Sequence, residues 1–162
     1  MTVVCLDTNI LIWGFKKEAS IGQESMILKA EHLIRSLTES KTDIIIPSLV
    51  LAELLMAVEE ENYGDFLSNM NKQFMIVPFD TRAAFHYGKI WKQWKEQTTQ
   101  SNQKKSDKPT RTKMKTDFMI VATAISRKAE CIYSKDSDII NFSEGRIEVK
   151  DLPPIHQQGS LI

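Results

Sequence analysis

Four acidic residues lie at positions from which a parallel α/β sheet would bring them to one edge. Asp7 directly follows an apolar run at the N-terminus, and Glu53 is the one charged residue of the apolar stretch 48–55. Asp117 opens a predicted helix, and Asp136 lies two residues after a later apolar run. Ligands of open α/β sheets bind beyond the carboxyl ends of the strands. The spacing therefore predicts that these four carboxylates converge at that edge.

Convergence of four carboxylates has an electrostatic consequence. Two carboxylates about 4 Å apart repel each other by roughly 4 kcal/mol at an effective dielectric constant of about 20. Four of them stay ionised together only if a cation neutralises them, and otherwise some take up protons. Taken singly, each acid could instead be an ordinary turn or helix-end residue.

The donor atoms indicate which cation would suit such a site. Oxygen ligands without cysteine or histidine nearby favour a hard cation, Mg²⁺ or Mn²⁺. The three histidines, His32, His86 and His156, do not show a zinc-binding spacing. A carboxylate-held Mg²⁺ or Mn²⁺ with positions left for water and phosphate is suited to phosphodiester hydrolysis.

Short strands alternating with helices are expected to position these acids. Strands are predicted from apolar, mostly β-branched runs at 2–6, 43–46, 75–77, 131–134 and 147–149. Continuous apolar runs are typical of strands covered on both faces. The predicted fold is a three-layer α/β/α sandwich around a mostly parallel sheet of four to five strands. One domain is expected at 1–150, followed by a C-terminal tail at 151–162.

Composition limits the class of protein. The 162 residues include 21 basic and 21 acidic ones, so the formal net charge is zero and any binding of a polyanion must be local. The most apolar stretch, 49–58, is short and contains Glu53, so a membrane-spanning segment is not predicted. The N-terminus has no signal-peptide pattern. Cys5 and Cys131 are predicted to be free thiols in strands, which fits a reduced, cytoplasmic protein.

One segment combines polarity with positive charge. Residues 97–113 contain no hydrophobic residue, and a polar, basic insertion is predicted at about 97–115. Six basic residues and one acid give residues 104–115 a local charge of +5; the basic ones are Lys104, Lys105, Lys108, Arg111, Lys113 and Lys115. Beside the acids, this segment could bind the phosphate backbone of a nucleic acid. The alternative is a solvated loop whose charges only maintain solubility.

Three tryptophans each have two interpretations. Trp91 and Trp94 are three residues apart on a predicted helix, where they could stack on bases or pack in the core or a dimer interface. Trp13 lies in an apolar segment after Asp7, and it could be buried in the core or contact a second subunit or another protein.

Four sequence blocks, in order, resemble those of the PIN (PilT N-terminus) domain family. They are LDTNI at 6–10, LAEL around Glu53, KTDFMIVATA at 115–124 and YSKDSD at 133–138. The resemblance covers residues 2–150 and matches best the bacterial VapC-like branch, the ribonuclease toxins of toxin–antitoxin pairs. It implies a Mg²⁺- or Mn²⁺-dependent endoribonuclease that hydrolyses RNA phosphodiester bonds with metal-activated water. The implied partners are RNA, an antitoxin protein and a second copy in a homodimer.

The resemblance also implies roles for particular residues. The catalytic, metal-holding acids would be Asp7, Glu53, Asp117 and Asp136. The supporting residues would be Thr8, Asn9, Ser134 and a fifth acid, Asp138. Asp138 has an alternative role as the N-cap of a helix that begins ahead of Ile139. The segment at 97–113 departs from the family, which joins the flanking helices more tightly, and Ser134 stands where threonine is more common.

Two other functions are compatible with this sequence. A phosphoacceptor receiver-type domain would also be a parallel α/β fold with Mg²⁺-binding acids, but it needs an aspartate after a central strand. The acid near that position is Glu53, inside a predicted helix. The other alternative is a catalytically silent PIN fold that serves as an RNA-binding or scaffold module.

The basic segment gives a first testable prediction. Replacing Lys104, Lys105 and Lys108 by glutamine is expected to weaken RNA binding and to flatten its dependence on salt, because fewer counterions are released from the RNA. Filter binding between about 50 and 200 mM salt measures both effects, a range over which several phosphate contacts change affinity strongly. Binding that is unchanged at every salt concentration would contradict the prediction.

Overall fold

The computed structural model describes residues 1–100 and 111–155, and within them it contains one five-stranded sheet. Every neighbouring pair of strands is parallel, and the strand order is β3-β2-β1-β4-β5. The strands are β1 (Val3–Leu6), β2 (Asp43–Pro47), β3 (Met75–Val77), β4 (Cys131–Tyr133) and β5 (Glu148–Lys150). The predicted α/β sandwich around a parallel sheet is thus confirmed.

The strand order also decides against one alternative. The chain builds the sheet outward from β1 to β2 and β3 on one side, and places β4 and β5 on the other. Receiver domains have the order 2-1-3-4-5 instead. The receiver-type interpretation is therefore wrong, because β1 and not β3 lies at the centre of this sheet.

Helices cover both faces of the sheet. They are α1 (Thr8–Gly14), α2 (Ser25–Glu39), α3 (Ser48–Leu55), α4 (Tyr63–Gln73), α5 (Thr81–Gln100), α6 (Arg111–Ser126) and α7 (Ser137–Ser143), with a short 3-10 turn at Glu60–Asn62. Consecutive strand residues point to opposite faces. Val4, Cys5 and Leu6 are all buried, so β1 is covered on both sides.

An aromatic cluster fixes α6 in the core. Phe118 is fully buried, and its ring lies 5.9 Å from the rings of both Trp91 and Trp94 and 4.3 Å from that of Phe142, measured between centroids. The packing interpretation of Trp91 and Trp94 is therefore confirmed. Trp13 is buried as well, in the core of the domain.

The helix that carries Asp117 begins earlier than predicted. α6 starts at Arg111, so Asp117 lies in its second turn instead of opening it. Apolar periodicity marks only where a helix meets the core, whereas Arg, Lys and Met are good helix formers without it. The flanks of the predicted insertion are helical for the same reason, since α5 extends to Gln100. Residues 101–110, with Lys104, Lys105 and Lys108, lie outside the described residues.

Several smaller expectations can be compared with the structure. Cys5 and Cys131 are buried free thiols, as predicted. None of the helices in the described ranges is both long and apolar enough to cross a membrane. Of the predicted tail, residues 151–155 have no helix or strand, although Leu152 is buried, and 156–162 lie outside the described part.

A close approach between α1 and α2 requires glycine at position 14. A Cβ atom placed there would lie 2.8 Å from Ile34 Cδ1 and 3.0 Å from both the carbonyl carbon and the Cβ of Ala30. The backbone of α2 cannot yield as a side chain can, so the contact limits how α1 is seated. This matters for the fold's polar edge because α1 begins directly after Asp7.

Gly14→Ala is expected to lower the free energy of unfolding by about 1–3 kcal/mol through overpacking. Gly64→Ala is the matched control, since Gly64 lies in α4 with no atom within 4 Å of a Cβ there. That substitution should be neutral or stabilise by up to about 1 kcal/mol. Urea unfolding of both variants measures the difference, and equal stabilities would contradict the prediction.

Candidate active site

The acidic residues lie where the strand order changes direction, beyond the carboxyl ends of β1 and β4. Leu6 is paired with Tyr133 in the sheet, so the two strands end side by side. Asp7 follows β1, and its backbone N–H donates to the carbonyl of Tyr133 over 3.1 Å. Such a switch point is the usual position of a ligand site in an open α/β sheet.

Asp7 is the most enclosed of the predicted acids, with 5% of its surface exposed. It is the N-cap of α1, and its Oδ1 accepts a hydrogen bond of 2.7 Å from the backbone N–H of Thr8. Its Oδ2 accepts one of 2.7 Å from the hydroxyl of Ser134. Burial raises the pKa of Asp7, although both hydrogen bonds oppose that shift. Both oxygens are thus held in fixed directions.

Glu53 joins the site from α3 through Thr8. The Thr8 hydroxyl donates to Glu53 Oε2 over 2.6 Å, although 45 residues separate them in sequence. Burial raises the pKa of Glu53, and the bond from Thr8 partly offsets the effect. Thr8 therefore positions two acids at once: its backbone N–H bonds to Asp7, and its side chain bonds to Glu53.

Asp117, Asp136 and Asp138 form a second, tighter group. One carboxylate oxygen from each lies within 4.8 Å of the other two. Asp117 is only 6% exposed, and burial raises its pKa to about 6. Asp136 is the N-cap of α7 and accepts a 2.9 Å hydrogen bond from the backbone N–H of Asp138. The N-cap interpretation of Asp138 is therefore wrong, because α7 begins at Ser137, two residues earlier than that role requires.

The ammonium group of Lys113 lies within this second group. Its Nζ donates to one oxygen each of Asp117, Asp136 and Asp138, and every distance is 2.9 Å. Burial alone would lower the pKa of Lys113, but the three hydrogen bonds raise it overall. Lys113 was predicted to bind substrate, and the structure places its charge against the acids instead of along a separate basic surface.

One cleft of about 450 Å³ joins these residues. Among its lining residues are most of the predicted site, namely Asp7, Thr8, Asn9, Glu53, Asp117 and Asp136, together with Lys113. Sequence reasoning missed Ile12 and Met56, which also line the cleft; Met56 is largely exposed. A larger groove of about 700 Å³ lies among α1, α2 and α4, and none of the predicted site residues lines it.

Two other basic residues that were predicted to bind substrate lie on α6. Lys115 is exposed on α6, and Arg111 is the first residue of that helix.

The contact of Lys113 with Asp117 could have been inferred from their spacing of four residues, which places two side chains on one helix face. That inference needs the helix to begin by residue 111, which the apolar pattern did not indicate.

The donor set fits a hard divalent cation. Five carboxylates meet at this edge, and every candidate ligand atom that they offer is oxygen, the preferred ligand of Mg²⁺ and Mn²⁺. Lys113 alone compensates only one of the five negative charges when all are ionised. The residues that could hold the ion are Asp7, Glu53, Asp117, Asp136 and Asp138.

Comparison with solved structures shows the same fold in three VapBC structures. VapBC of Salmonella typhimurium bound to DNA has a TM-score of 0.66 and 20% identity, covering 94% of this chain and all of that one. VapBC2 of Rickettsia felis, bound to a DNA fragment from the promoter, has a TM-score of 0.65 and 17% identity with the same coverage. VapBC-1 of nontypeable Haemophilus influenzae has a TM-score of 0.64 and 16% identity, covering 93% and 98%.

The sequence comparisons differ in outcome. A search of curated proteins found no match. The sequence model of the PIN domain matches residues 4–145, which include every acid of the cleft. Because that match extends over most of the sequence, the chain belongs to the PIN domain family.

Proposed function

We propose that this protein is a Mg²⁺- or Mn²⁺-dependent endoribonuclease, the toxin of a toxin–antitoxin pair. The observation that carries the proposal is the convergence of four carboxylates, from four separate segments of the chain, on one cleft at the switch point of the sheet, with Asp138 beside two of them. Repulsion among them makes a divalent cation the natural occupant. Membership of the PIN family supports the same conclusion.

The residues of the cleft divide the work of such a site. Asp7, Glu53, Asp117 and Asp136 would hold the metal, with Asp138 beside them. When bound, the ion would lower the pKa of a water molecule and stabilise negative charge on the phosphate. Thr8 and Ser134 orient the acids through hydrogen bonds of 2.6–2.7 Å, so little reorganisation is needed when the ion and substrate arrive.

RNA is the proposed substrate, and the basic residues support it. Lys115 is exposed on the helix that supplies Asp117, so its charge can attract a polyanion toward the acids. Arg111, Lys104, Lys105 and Lys108 would extend that attraction along the segment before it. Neutral net charge is compatible with this, because positive charge is concentrated in one segment of the sequence, 104–115, directly before Asp117.

The proposed protein partner is an antitoxin. All three structures compared above are complexes of the VapBC type, and this chain covers nearly the whole of each matched chain. The proposal includes a homodimer as the toxin's own assembly and a cytoplasmic location, which the two buried free thiols suit.

Asp7→Asn and Asp117→Asn are each expected to reduce RNA cleavage more than about 100-fold, because even a group behind a metal ligand can be worth 10–100-fold. A mixed RNA pool is incubated with wild type and variants in Mg²⁺, Mn²⁺ or EDTA, and the products are sequenced. Asp65→Asn, an exposed acid of α4, is the matched control and should cleave like wild type. Cleavage that survives both site variants or EDTA would rule out the mechanism, and equal cutting of single-stranded DNA would rule out RNA specificity.

A stability measurement tests the metal site without using activity. The folded-state pKa of Asp117, about 6, exceeds its ordinary value of 3.8, so ionisation destabilises the metal-free fold as pH rises through 6. Asp117→Asn removes that cost and should raise the metal-free Tm at pH 8 by about 2–4 °C, equivalent to about 1 kcal/mol for a chain of this length. The gain should shrink at pH 5, where wild-type Asp117 is largely protonated.

The same variant should lose most of the stabilisation that Mn²⁺ confers. Wild-type Tm is expected to rise with MnCl₂ because the ion binds only the folded state. Thermal unfolding in EDTA and in MnCl₂, with Asp65→Asn again as control, measures both effects. A variant that gains as much from Mn²⁺ as wild type does would exclude Asp117 as a ligand.

A further inference from the structure

Lys113 contacts three carboxylates through a single nitrogen atom. One ammonium group donates three hydrogen bonds of 2.9 Å to carboxylates from two different parts of the chain. Asp117 is four residues along the same helix, whereas Asp136 and Asp138 come from the start of α7, more than 20 residues away. An ammonium has three protons to donate, so these carboxylates match its full donor capacity.

The geometry points to Lys113 as a resident counter-ion that occupies the metal position, so that a divalent cation binds by displacing its ammonium from Asp117, Asp136 and Asp138. This inference rests on the proposed metal-dependent function and concerns how that site is regulated. It makes Lys113 a built-in competitor of the metal, and the apparent affinity for the ion then reports both ligation and the release of Lys113.

Distances make the two cations mutually exclusive. Mg²⁺ bonds to oxygen at about 2.0–2.1 Å, whereas the ammonium nitrogen lies 2.9 Å from each oxygen. Both would use the same three oxygens, which already lie within 4.8 Å of one another. An ion drawn to those oxygens would stand within a few ångströms of the ammonium, where like charges repel strongly.

The side chain is placed so that it can leave. Its relative exposure is 45%, compared with 9% for the side chain of Asp117, so one part of Lys113 already faces solvent. Its backbone is in the first turn of α6, and its four-carbon stem is flexible. Rotation of this side chain would carry the ammonium away from the three carboxylates without a shift of the α6 backbone, where the neighbour of Asp117, Phe118, is fully buried.

Competition of this kind raises the concentration of metal ion that is needed to fill half of the sites. In the metal-free protein Lys113 offsets the repulsion among the three acids and keeps them assembled. The consequence is a weaker apparent affinity for the ion, reduced by the fraction of molecules in which the ammonium is away from the acids. A change that removes the ammonium should therefore tighten metal binding and loosen the metal-free site.

Isothermal titration of Mn²⁺ into metal-free, full-length protein tests the inference. Lys113→Gln is expected to bind Mn²⁺ about tenfold or more tightly than wild type, if the ammonium occupies the site at least about 90% of the time. Lys115→Gln is the matched control, because it removes the same charge from an exposed position on the same helix. Its affinity should stay within about twofold of wild type, since exposed charges are well screened.

Each outcome has a distinct meaning. Tighter binding by Lys113→Gln alone supports displacement, and an equal gain in Lys115→Gln would overturn it in favour of a general charge effect. Affinity of Lys113→Gln equal to or weaker than wild type would overturn the inference and leave the metal site intact. Absence of Mn²⁺ binding in wild type and both variants would reject the proposed function and the inference together.

A second measurement uses the wild-type protein, in case Lys113→Gln does not fold without metal. NMR of ¹⁵N-labelled lysine ammonium groups should show one group protected from exchange, assigned by its loss in Lys113→Arg. Mg²⁺ at a concentration that saturates the site by calorimetry should abolish that protection. A protected signal that persists at saturation would overturn displacement, because the ammonium would then share the site with the ion.

Discussion

Mutual repulsion among carboxylates at one edge of the sheet is the constraint on which this structure depends. Oxygens of Asp117, Asp136 and Asp138 lie within 4.8 Å of one another, and Asp7 and Glu53 line a cleft together with the first two of these acids. A fold gains nothing in stability from gathering like charges, and burial raises the pKa of Asp7, Glu53 and Asp117 accordingly. Such an arrangement is expected of a site whose negative charge is balanced by a bound cation.

The surrounding structure contains the repulsion by two different means. Asp7 and Glu53 are held by neutral donors, the Thr8 backbone and hydroxyl and the Ser134 hydroxyl, which favour the ionised form without adding charge. Asp117, Asp136 and Asp138 are held by the positive charge of Lys113. The first group is held without a charged partner, whereas the second is held by a cation.

Tight packing of the core behind the site keeps the acids and the groups that bond to them in place. β1 is buried on both faces, and the ring of Phe118 is surrounded by aromatic side chains from α5 and α7. Phe118 is adjacent to Asp117, so the core fixes the position of that carboxylate. The close seat of α1 on α2 at Gly14 does the same for the helix that Asp7 caps. Apolar burial therefore supplies the free energy that holds unfavourable charges together.

Much of this could be inferred from the sequence alone, because the relevant signals are local. Apolar runs indicated the strands, and each predicted acid was recognised by its place relative to a strand or helix. Parallel strands end at a common edge, so the positions of Asp7 and Asp136 just after two such strands were enough to predict that they meet. Four sequence blocks in order sufficed for the PIN resemblance, which the match over residues 4–145 confirms.

Tertiary structure decided what lies between those acids. Where α6 begins depends on polar residues without apolar periodicity, and that start places Lys113 one turn before Asp117. Its bonds to Asp136 and Asp138 depend on how α6 packs against α7, as the bond from Thr8 to Glu53 depends on how α1 and α3 meet. Sequence patterns indicate which residues are buried and hence where strands and helices lie. They were therefore enough to locate the acids relative to those elements. The contacts among charged groups arise from the relative placement of whole elements, and only the folded chain determines those.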